Sequence, residues 1–236
     1  MAALSSIPAG GVAIVVGSSG GIGEAARSAL SATGRFERVI GWSRRGPDAV
    51  DITQEADVAR ASRAAADEGE IRLVLVATGT LSFNGAKAEK GLRNLEPEAM
   101  MAAFRTNALG PALVAKHLLP LFPRTGKSVF SVLSARVGSI GDNRLGGWYS
   151  YRASKAALNQ LIRTASIELA RRAPDAICLA MHPGTVDTPL SRPFSRAGLT
   201  VLTPASAAAK LLEVIDLVGE EQSGGFLDQD GLTIPW

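Results

Sequence analysis

The chain has 236 residues, 46% of them hydrophobic, and a formal net charge of +3 at pH 7. This length and composition suffice for one sizeable core, and we expect residues 1–236 to form a single α/β domain. No lysine- and arginine-rich run accompanies the mild positive charge, so we expect no nucleic-acid partner.

No apolar run approaches the roughly 18 residues of a membrane-spanning helix, and the N-terminus does not resemble a secretion signal. The lone cysteine, Cys178, excludes an intramolecular disulfide and fits a reducing compartment. The two histidines have no partners at metal-ligand spacing. We therefore expect a cytoplasmic protein with no membrane segment and no metal site.

Short β-like runs alternate with alanine-rich helical patterns along the chain. The predicted strands cover residues 12–17, 38–43, 72–77, 127–134 and 176–184. The predicted helices cover residues 21–33 and 53–66, one or two segments within 96–122, and residues 151–172 and 204–218. This order predicts a doubly wound, Rossmann-type parallel sheet with helices on both faces.

A glycine-rich turn, GSSGGIG, directly follows the first predicted strand and opens the first helix. Gly17, Gly21 and Gly23 would let the backbone turn tightly and approach a pyrophosphate at the helix N-terminus. Ser19 and Ile22 lie in the same turn, so we include them among the candidate coenzyme contacts. The position of the turn between a strand and a helix favours dinucleotide binding over a purely structural turn.

Two arginines, Arg44 and Arg45, stand at the end of the second predicted strand. An acid at this place would hold the ribose diol of NAD, and none is present. The arginines could be a solvated strand end. Their planar, permanently charged guanidinium groups also fit a 2′-phosphate, which predicts NADP as the coenzyme.

The two tyrosines of the chain stand two residues apart, and Lys155 follows Tyr151 by four residues. Residues at this spacing share one face of a helix, whereas Ala153 takes that place relative to Tyr149. Lowering a phenol pKa from about 10 to about 7 requires roughly 4 kcal/mol. An ammonium about 4 Å away supplies a Coulomb energy of that size at an effective dielectric constant of about 20. The spacing therefore predicts Tyr151 as a general acid, with Tyr149 just before the helix.

The glycine turn and the Tyr151–Lys155 pair together resemble the motifs of the short-chain dehydrogenase/reductase family. The resemblance covers nearly the whole chain and extends to six further positions: Asn107, Ser134, Pro183, Gly184, Val186 and Thr188. It implies that the last four of these contact the coenzyme. It also implies a small carbonyl or alcohol substrate and a homodimer or homotetramer.

The resemblance further implies four catalytic roles. Tyr151 would donate a proton to the substrate carbonyl as hydride arrives from the nicotinamide. Lys155 would lower the pKa of Tyr151 and bind the nicotinamide ribose. Ser134 would hydrogen-bond the carbonyl oxygen, and Asn107 would hold a water through a helix irregularity.

The sequence departs from the family pattern at two places near these residues. The usual Asn-Asn-Ala-Gly after the fourth strand of the family is Ala77-Thr78-Gly79-Thr80 here, which keeps Gly79 as a coenzyme contact. Ser134 precedes Tyr151 by 17 residues, whereas Ser139 precedes it by 12, close to the family spacing. We prefer Ser134 because it ends a predicted strand, and Ser139 remains the alternative.

A third departure is the short segment from Arg44 to Asp51, which has no room for a helical crossover. By resemblance, Asp51 and Ile52 would contact the adenine, although Asp51 could equally cap the helix predicted from Thr53. This abbreviation, the glycine-rich loop before Tyr149 and the chain ending resemble the C-factor-like branch of the family.

Several residues are candidates for the substrate site beyond the catalytic positions. Five apolar side chains are candidate cavity walls: Phe83, Leu145, Trp148, Leu190 and Phe194. Residues 186–200 are a candidate covering segment. Its Arg192 and Arg196 could meet an acidic substrate, although a solvated charged loop is the favoured interpretation of these two residues. The alternative to an enzyme is an NADP-binding regulatory or signalling protein, against which the Tyr151–Lys155 pair argues.

Overall fold

Strands and helices alternate along most of the chain in the computed structural model, which describes residues 3–46, 49–82, 88–191 and 200–236. The strands are β1 (Val12–Val16), β2 (Arg38–Trp42), β3 (Ile71–Val76), β4 (Ser128–Leu133), β5 (Ala176–His182), β6 (Thr185–Val186), β7 (Val201–Leu202) and β8 (Phe226–Asp228). The helices are α1 (Gly21–Thr33), α2 (Glu55–Asp67), α3 (Pro97–Phe104), α4 (Gly110–Leu118), α5 (Tyr149–Ala170) and α6 (Pro204–Leu217).

Six of the strands form one parallel sheet in the order β2-β1-β3-β4-β5-β8. The order runs outward in both directions from the β1–β3 pair, which is the topology of a doubly wound fold. The predicted fold class is therefore confirmed. Ligands of such sheets bind outside the carboxyl ends of the strands, where the strand order reverses.

The core lies on both faces of this sheet. Val12, Ile14 and Val16 of β1 belong to a buried cluster on one face, and Ala13 and Val15 belong to a second cluster on the other face. Successive side chains of a strand point to opposite faces, so a strand buried on both faces is a continuous apolar run. No helix in the described ranges is long and apolar enough to cross a membrane.

The segment from Arg44 to Asp51 contains no helix among its described residues, as its length predicts, and α2 begins only at Glu55. The family motif expected after the fourth strand, at Ala77 to Thr80, therefore follows β3 of this sheet, and Pro183 and Gly184 follow β5. The sequence did not reveal β8. This strand has three residues, too few for a periodic pattern, and it exists because Phe226 and Leu227 pair with Ala180 and Met181 of β5.

The start of α5 also differs from the prediction. Tyr149 was expected before the helix, but it is the first helical residue. Trp148 precedes it in the left-handed conformation with φ of 51°, and its N–H donates to the Glu89 carbonyl oxygen at 2.6 Å. A distant segment therefore fixes the beginning of this helix.

Candidate functional site

Two neighbouring cavities lie at the carboxyl ends of the parallel strands. The first has a volume of about 420 Å³, and its wall includes Ser134 and Tyr151. Three of the predicted wall residues also line it: Leu145, Trp148 and Leu190. The other two, Phe83 and Phe194, lie outside the described residues, as do Arg192 and Arg196 of the candidate covering segment.

The second cavity has a volume of about 600 Å³ and follows the ends of β1, β2 and β3. Its lining contains seven of the predicted coenzyme contacts: Gly17, Ser19, Arg44, Arg45, Asp51, Ile52 and Gly79. Five others line the first cavity: Ile22, Pro183, Gly184, Val186 and Thr188. The predicted contacts therefore extend across both cavities, as an elongated dinucleotide requires.

The glycine turn has a geometry that only glycine accommodates at two positions. Gly17 has φ of +83°, in the region that disfavours side chains. A Cβ on Gly23 would lie 2.2 Å from the Gly17 carbonyl oxygen, so α1 packs directly against the turn. Among the described residues, no side chain caps the α1 N-terminus at Gly20. These features fit a phosphate group, because N–H groups at a helix N-terminus attract anions.

Arg44 and Arg45 are exposed at the end of β2 and line the second cavity. Neither forms an ion pair with another residue in the described part of the chain. The Asp51 carboxylate of the same cavity accepts hydrogen bonds from the N–H and Oγ1 of Thr53, at 2.9 and 2.8 Å. Because α2 begins only at Glu55, Asp51 stabilises the turn before the helix and does not cap the helix itself.

Tyr151 and Lys155 lie one turn apart on α5, and both are buried. The Lys155 Nζ donates to the Leu133 carbonyl oxygen at 2.7 Å and lies 5.9 Å from the centroid of the Tyr151 ring. A Cβ on Gly79 would lie 3.4 Å from Nζ, so this glycine leaves room for the ammonium. The structure thus brings together the end of β4, the turn after β3 and the first turns of α5.

Burial shifts the pKa values of this pair in opposite directions. It raises the pKa of Tyr151 to about 12 and lowers the pKa of Lys155 to about 7. Both shifts favour the neutral form of the group, because removing a charge from water is costly. On this geometry, the expected lowering of the Tyr151 pKa by Lys155 does not overcome the effect of burial.

Asn107 lies in a π-helical turn, Arg105–Leu109, between α3 and α4. Its Oδ1 accepts from the Thr80 N–H at 2.9 Å, and its Nδ2 donates to the Thr80 carbonyl oxygen at 2.9 Å and to Ser154 Oγ at 3.1 Å. Asn107 and Lys155 do not line either cavity and lie behind the wall that Gly79 and Thr80 form. Such π turns frequently occur at functional sites.

The two candidate serines occupy different places. Ser134 follows β4 directly, its N–H donates to the Met181 carbonyl oxygen at 2.8 Å, and it lines the first cavity with Tyr151. Ser139 is not part of that lining, and its hydroxyl donates to the Pro235 carbonyl oxygen. The geometry therefore favours Ser134 as the serine next to Tyr151.

Sequence reasoning missed two residues that hold this site. Glu89 is buried, and its carboxylate accepts hydrogen bonds from Ser150 at the start of α5. Asn159 is also buried, and its Oδ1 accepts from Ser134 Oγ at 2.6 Å. Asn159 follows Lys155 by four residues, so the helical spacing that links Tyr151 to Lys155 could have found it. No sequence pattern relates Glu89 to Ser150.

The chain matches a family model and is similar to several known proteins. A family model described as enoyl-(acyl carrier protein) reductase matches residues 24–215. The chain is 36% identical to C-signal of Myxococcus xanthus over 137 residues, which cover 58% of this chain and 78% of the relative. It is 33% identical to 1-hydroxy-2-glutathionyl-2-methyl-3-butene dehydrogenase of Rhodococcus sp. (strain AD45) over 188 residues, covering 79% and 78% of the two chains.

A solved structure shares the fold. It is the NADPH-bound carbonyl reductase from chicken fatty liver, with a TM-score of 0.83, 23% sequence identity and coverage of 98% of this chain and 96% of that chain. The family match spans most of the chain, and the six-stranded parallel sheet agrees with the fold of the solved structure. The chain therefore belongs to the short-chain dehydrogenase/reductase family, whose members are NAD(P)-dependent oxidoreductases.

Proposed function

We propose that this protein is an NADP(H)-dependent reductase or dehydrogenase that interconverts a carbonyl and an alcohol, with Tyr151 as the general acid and base. The observation that carries the proposal is the position of Tyr151 and Ser134 in the wall of one apolar cavity next to the candidate coenzyme cavity. The similarity to the Rhodococcus dehydrogenase, whose name specifies a hydroxyl substrate, supports this reaction class.

The nicotinamide coenzyme, when bound, supplies or accepts the hydride. Tyr151 provides the proton for the carbonyl oxygen, and Ser134 donates a hydrogen bond to the same oxygen. For proton transfer near neutral pH, the Tyr151 pKa must fall from its value of about 12 in this structure. Lys155 is the nearby group that can lower it, once its ammonium is charged and faces the phenol.

Asn107 holds the backbone of Thr80, next to Gly79, where a Cβ would lie 3.4 Å from Lys155 Nζ and 3.7 Å from Asn107 Oδ1. Both hydrogens of its amide and one lone pair of Oδ1 are used by Thr80 and Ser154. A water that carries protons between solvent and Lys155 would therefore contact the second lone pair of Oδ1, or a backbone carbonyl oxygen that the π turn leaves without its helical partner. This would connect Lys155 to solvent without opening the first cavity.

Arg44, and secondarily Arg45, would select NADP over NAD. Their guanidinium groups stand at the end of β2, where they can form charge-assisted hydrogen bonds with a 2′-phosphate. The α1 N-terminus would bind the pyrophosphate, and Asp51 and Ile52 would lie against the adenine. The small, largely apolar first cavity fits a small-molecule substrate.

A regulatory or signalling role is the second candidate, favoured by the similarity to the protein named C-signal. In that case, NADP would bind without substantial turnover. The two candidates differ in the need for a proton donor, because a coenzyme sensor does not require Tyr151 at the wall of a substrate cavity.

The test is a screen of aldehydes, ketones and quinones in which oxidation of NADPH is followed by absorbance. Tyr151→Phe removes one oxygen and should lower kcat by at least roughly 10²-fold, the typical effect of losing a general acid, with little change in NADPH affinity. Tyr149→Phe is the matched control. Its side chain is 37% exposed and does not line the first cavity, so it should retain most activity. Full turnover by Tyr151→Phe would refute the mechanism, whereas tight NADPH binding without turnover of any substrate would favour the regulatory role.

A further inference from the structure

The Ser134 hydroxyl is engaged away from the cavity that it lines. Ser134 Oγ lies 2.6 Å from Asn159 Oδ1, and the two residues are 4% and 2% exposed. A carboxamide oxygen only accepts, so the single hydroxyl proton of Ser134 lies in this hydrogen bond. In this arrangement, Ser134 has no proton to donate to a carbonyl oxygen in the cavity.

The other end of the Asn159 amide is unsatisfied. Its Nδ2 is buried and forms no hydrogen bond with any of the described residues. Buried N–H groups are rarely left unpaired, so this one requires an explanation. The nitrogen and oxygen of a carboxamide have nearly the same size, and a half-turn about the terminal side-chain bond exchanges them without moving the backbone.

The half-turn reverses the direction of the hydrogen bond. Asn159 Nδ2 then donates to Ser134 Oγ, and the Ser134 proton becomes free to point into the cavity. The hydrogen bond between the two side chains is kept, and a carbonyl oxygen beside Ser134 gains a donor. Binding of a carbonyl compound therefore favours the turned amide.

We propose that Asn159 is a positioning residue that sets the direction of the Ser134 proton toward the substrate carbonyl. Asn159 is not among the described residues that line either cavity, so it acts through Ser134. Tyr151, Lys155 and Asn159 follow one another at four-residue intervals on α5, and all three are buried. One helical face thus carries the proton donor, its ammonium neighbour and the residue that orients the serine. The inference rests on the proposed carbonyl chemistry.

Two variants of similar size separate orientation from packing. Asn159→Asp presents an ionised carboxylate that only accepts, so it holds the Ser134 proton away from the substrate. We expect its kcat to fall by about 10²-fold, the effect of losing an oxyanion-hole donor. The leucine of Asn159→Leu neither holds nor directs the Ser134 proton, so the kcat of this variant should fall by about 10-fold or less. NADPH affinity should stay the same in both variants.

The pH profile distinguishes this role from a structural one. Burial raises the pKa of a carboxyl group, and a protonated carboxyl can donate to Ser134 Oγ. The kcat of Asn159→Asp, relative to that of the unmodified protein, should therefore recover as the pH falls, whereas the relative kcat of Asn159→Leu should stay constant. Parallel profiles for the two variants would overturn the proposal.

A double-mutant cycle tests whether Asn159 acts through Ser134. In a Ser134→Ala background, neither Asn159→Asp nor Asn159→Leu should lower kcat further, because the hydroxyl to be oriented is gone. Full additivity of the losses would assign Asn159 to packing and contradict the inference.

Neutron diffraction provides a readout that does not need turnover. Crystals of the unmodified protein with NADP⁺, soaked with acetone as an unreacting carbonyl compound and exchanged into D₂O, would show where the deuterons lie when a carbonyl oxygen is the acceptor for Ser134. A deuteron of Asn159 Nδ2 directed at Ser134 Oγ supports the proposal, and a Ser134 deuteron on Asn159 Oδ1 contradicts it. If no carbonyl compound is reduced by the unmodified protein, the proposed function fails, but the neutron map still decides the orientation of Asn159.

Discussion

Tyr149 and Tyr151 illustrate how burial makes two copies of one side chain different at the residue scale. Tyr149 is 37% exposed, whereas Tyr151 is 9% exposed and packs with Trp148, Leu81 and Ala135. Burial raises the pKa of Tyr151 to about 12, and only this tyrosine has a lysine one turn later on its helix. Its proposed role as an acid would therefore depend on Lys155, whose own charge is disfavoured by burial.

The buried Lys155 predicts a pH dependence of stability. Its pKa is about 7 in the folded chain, whereas the ordinary pKa of a lysine is 10.5. Between these pH values, the unfolded chain therefore binds more protons than the folded chain. Without added coenzyme, the free energy of unfolding should therefore rise with pH from about 7 to about 9.5 because of this group. Above about 10, the raised pKa of Tyr151 has the opposite effect, since the unfolded phenol ionises first.

Urea unfolding at several pH values measures this dependence. Lys155→Met keeps a chain of similar length without a titratable group, so its stability should rise less over the same window. If the free energy of unfolding rises equally with pH in the Met variant and the unmodified protein, Lys155 is already charged in the folded chain.

Arg44 predicts the coenzyme preference. The unmodified protein should use NADPH with a higher kcat/KM than NADH. Arg44→Asp should lower the ratio of the two kcat/KM values by roughly 10- to 10²-fold, the range for a charge-assisted hydrogen bond, and so erase or reverse the preference. Arg63→Asp is a matched control, because Arg63 is exposed on α2 and does not line the second cavity. Equal kcat/KM for the two coenzymes in the unmodified protein would contradict the assignment to NADP.

At the scale of elements, the N-terminus of α5 depends on a residue from a distant part of the chain. The Glu89 carboxylate accepts from the Ser150 hydroxyl and lies 3.3 Å from the Ser150 nitrogen. A buried carboxylate in this place satisfies the Ser150 N–H of the first helical turn and interacts favourably with the helix dipole. Because Tyr151 lies in the same turn, Glu89 also holds the proposed proton donor in place.

We expect Glu89→Gln to lower the free energy of unfolding by about 1–2 kcal/mol, the usual effect of losing a good helix cap. It should also lower kcat with little change in NADPH affinity, since Tyr151 would be less well fixed. Urea unfolding and steady-state kinetics measure these effects. Glu98→Gln, which alters an exposed acid in the first turn of α3, should change stability by only a few tenths of a kcal/mol. If the two variants behave alike, Glu89 does not act as a cap.

At the scale of the whole molecule, α4 and α5 share an outer face with a groove of about 470 Å³. Apolar residues are prominent in its lining: Ala112, Ala115, Leu119, Leu161, Ile162, Ala165 and Leu169. Leu161 is 41% exposed there. Apolar patches of this kind often mark protein contacts, and family resemblance implies a homodimer or homotetramer, so we propose that this face pairs two copies of the chain.

Sedimentation at micromolar concentration tests the pairing. The unmodified protein should sediment as a dimer or tetramer, and Leu161→Glu should shift it toward the monomer, because a charge would be buried in an apolar contact. Leu217→Glu provides the control, since Leu217 is 78% exposed at the end of α6 and outside the groove. A monomeric unmodified protein would remove the proposal.

The sequence by itself determined the features that depend on local or periodic patterns. Continuous apolar runs such as Val12–Val16 indicated strands buried on both faces, and the alternation with helices indicated the doubly wound sheet. The glycine turn was recognisable because backbone geometry restricts it to glycine, and Lys155 was placed beside Tyr151 because both residues belong to one helix. The interpretation of residues 1–236 as one domain stays a prediction.

Only the tertiary structure decided the contacts between segments that are far apart in the chain. Thr80 binds Asn107, Ser134 binds Asn159, and Glu89 binds Ser150, across separations of 27, 25 and 61 residues. These hydrogen bonds depend on how strands and helices pack, and no local pattern records that packing. The same holds for β8, whose three residues form a strand because β5 offers an edge to pair with. Burial, and with it the shifted pKa values of Tyr151 and Lys155, likewise arises only when the whole sheet and its helices enclose the site.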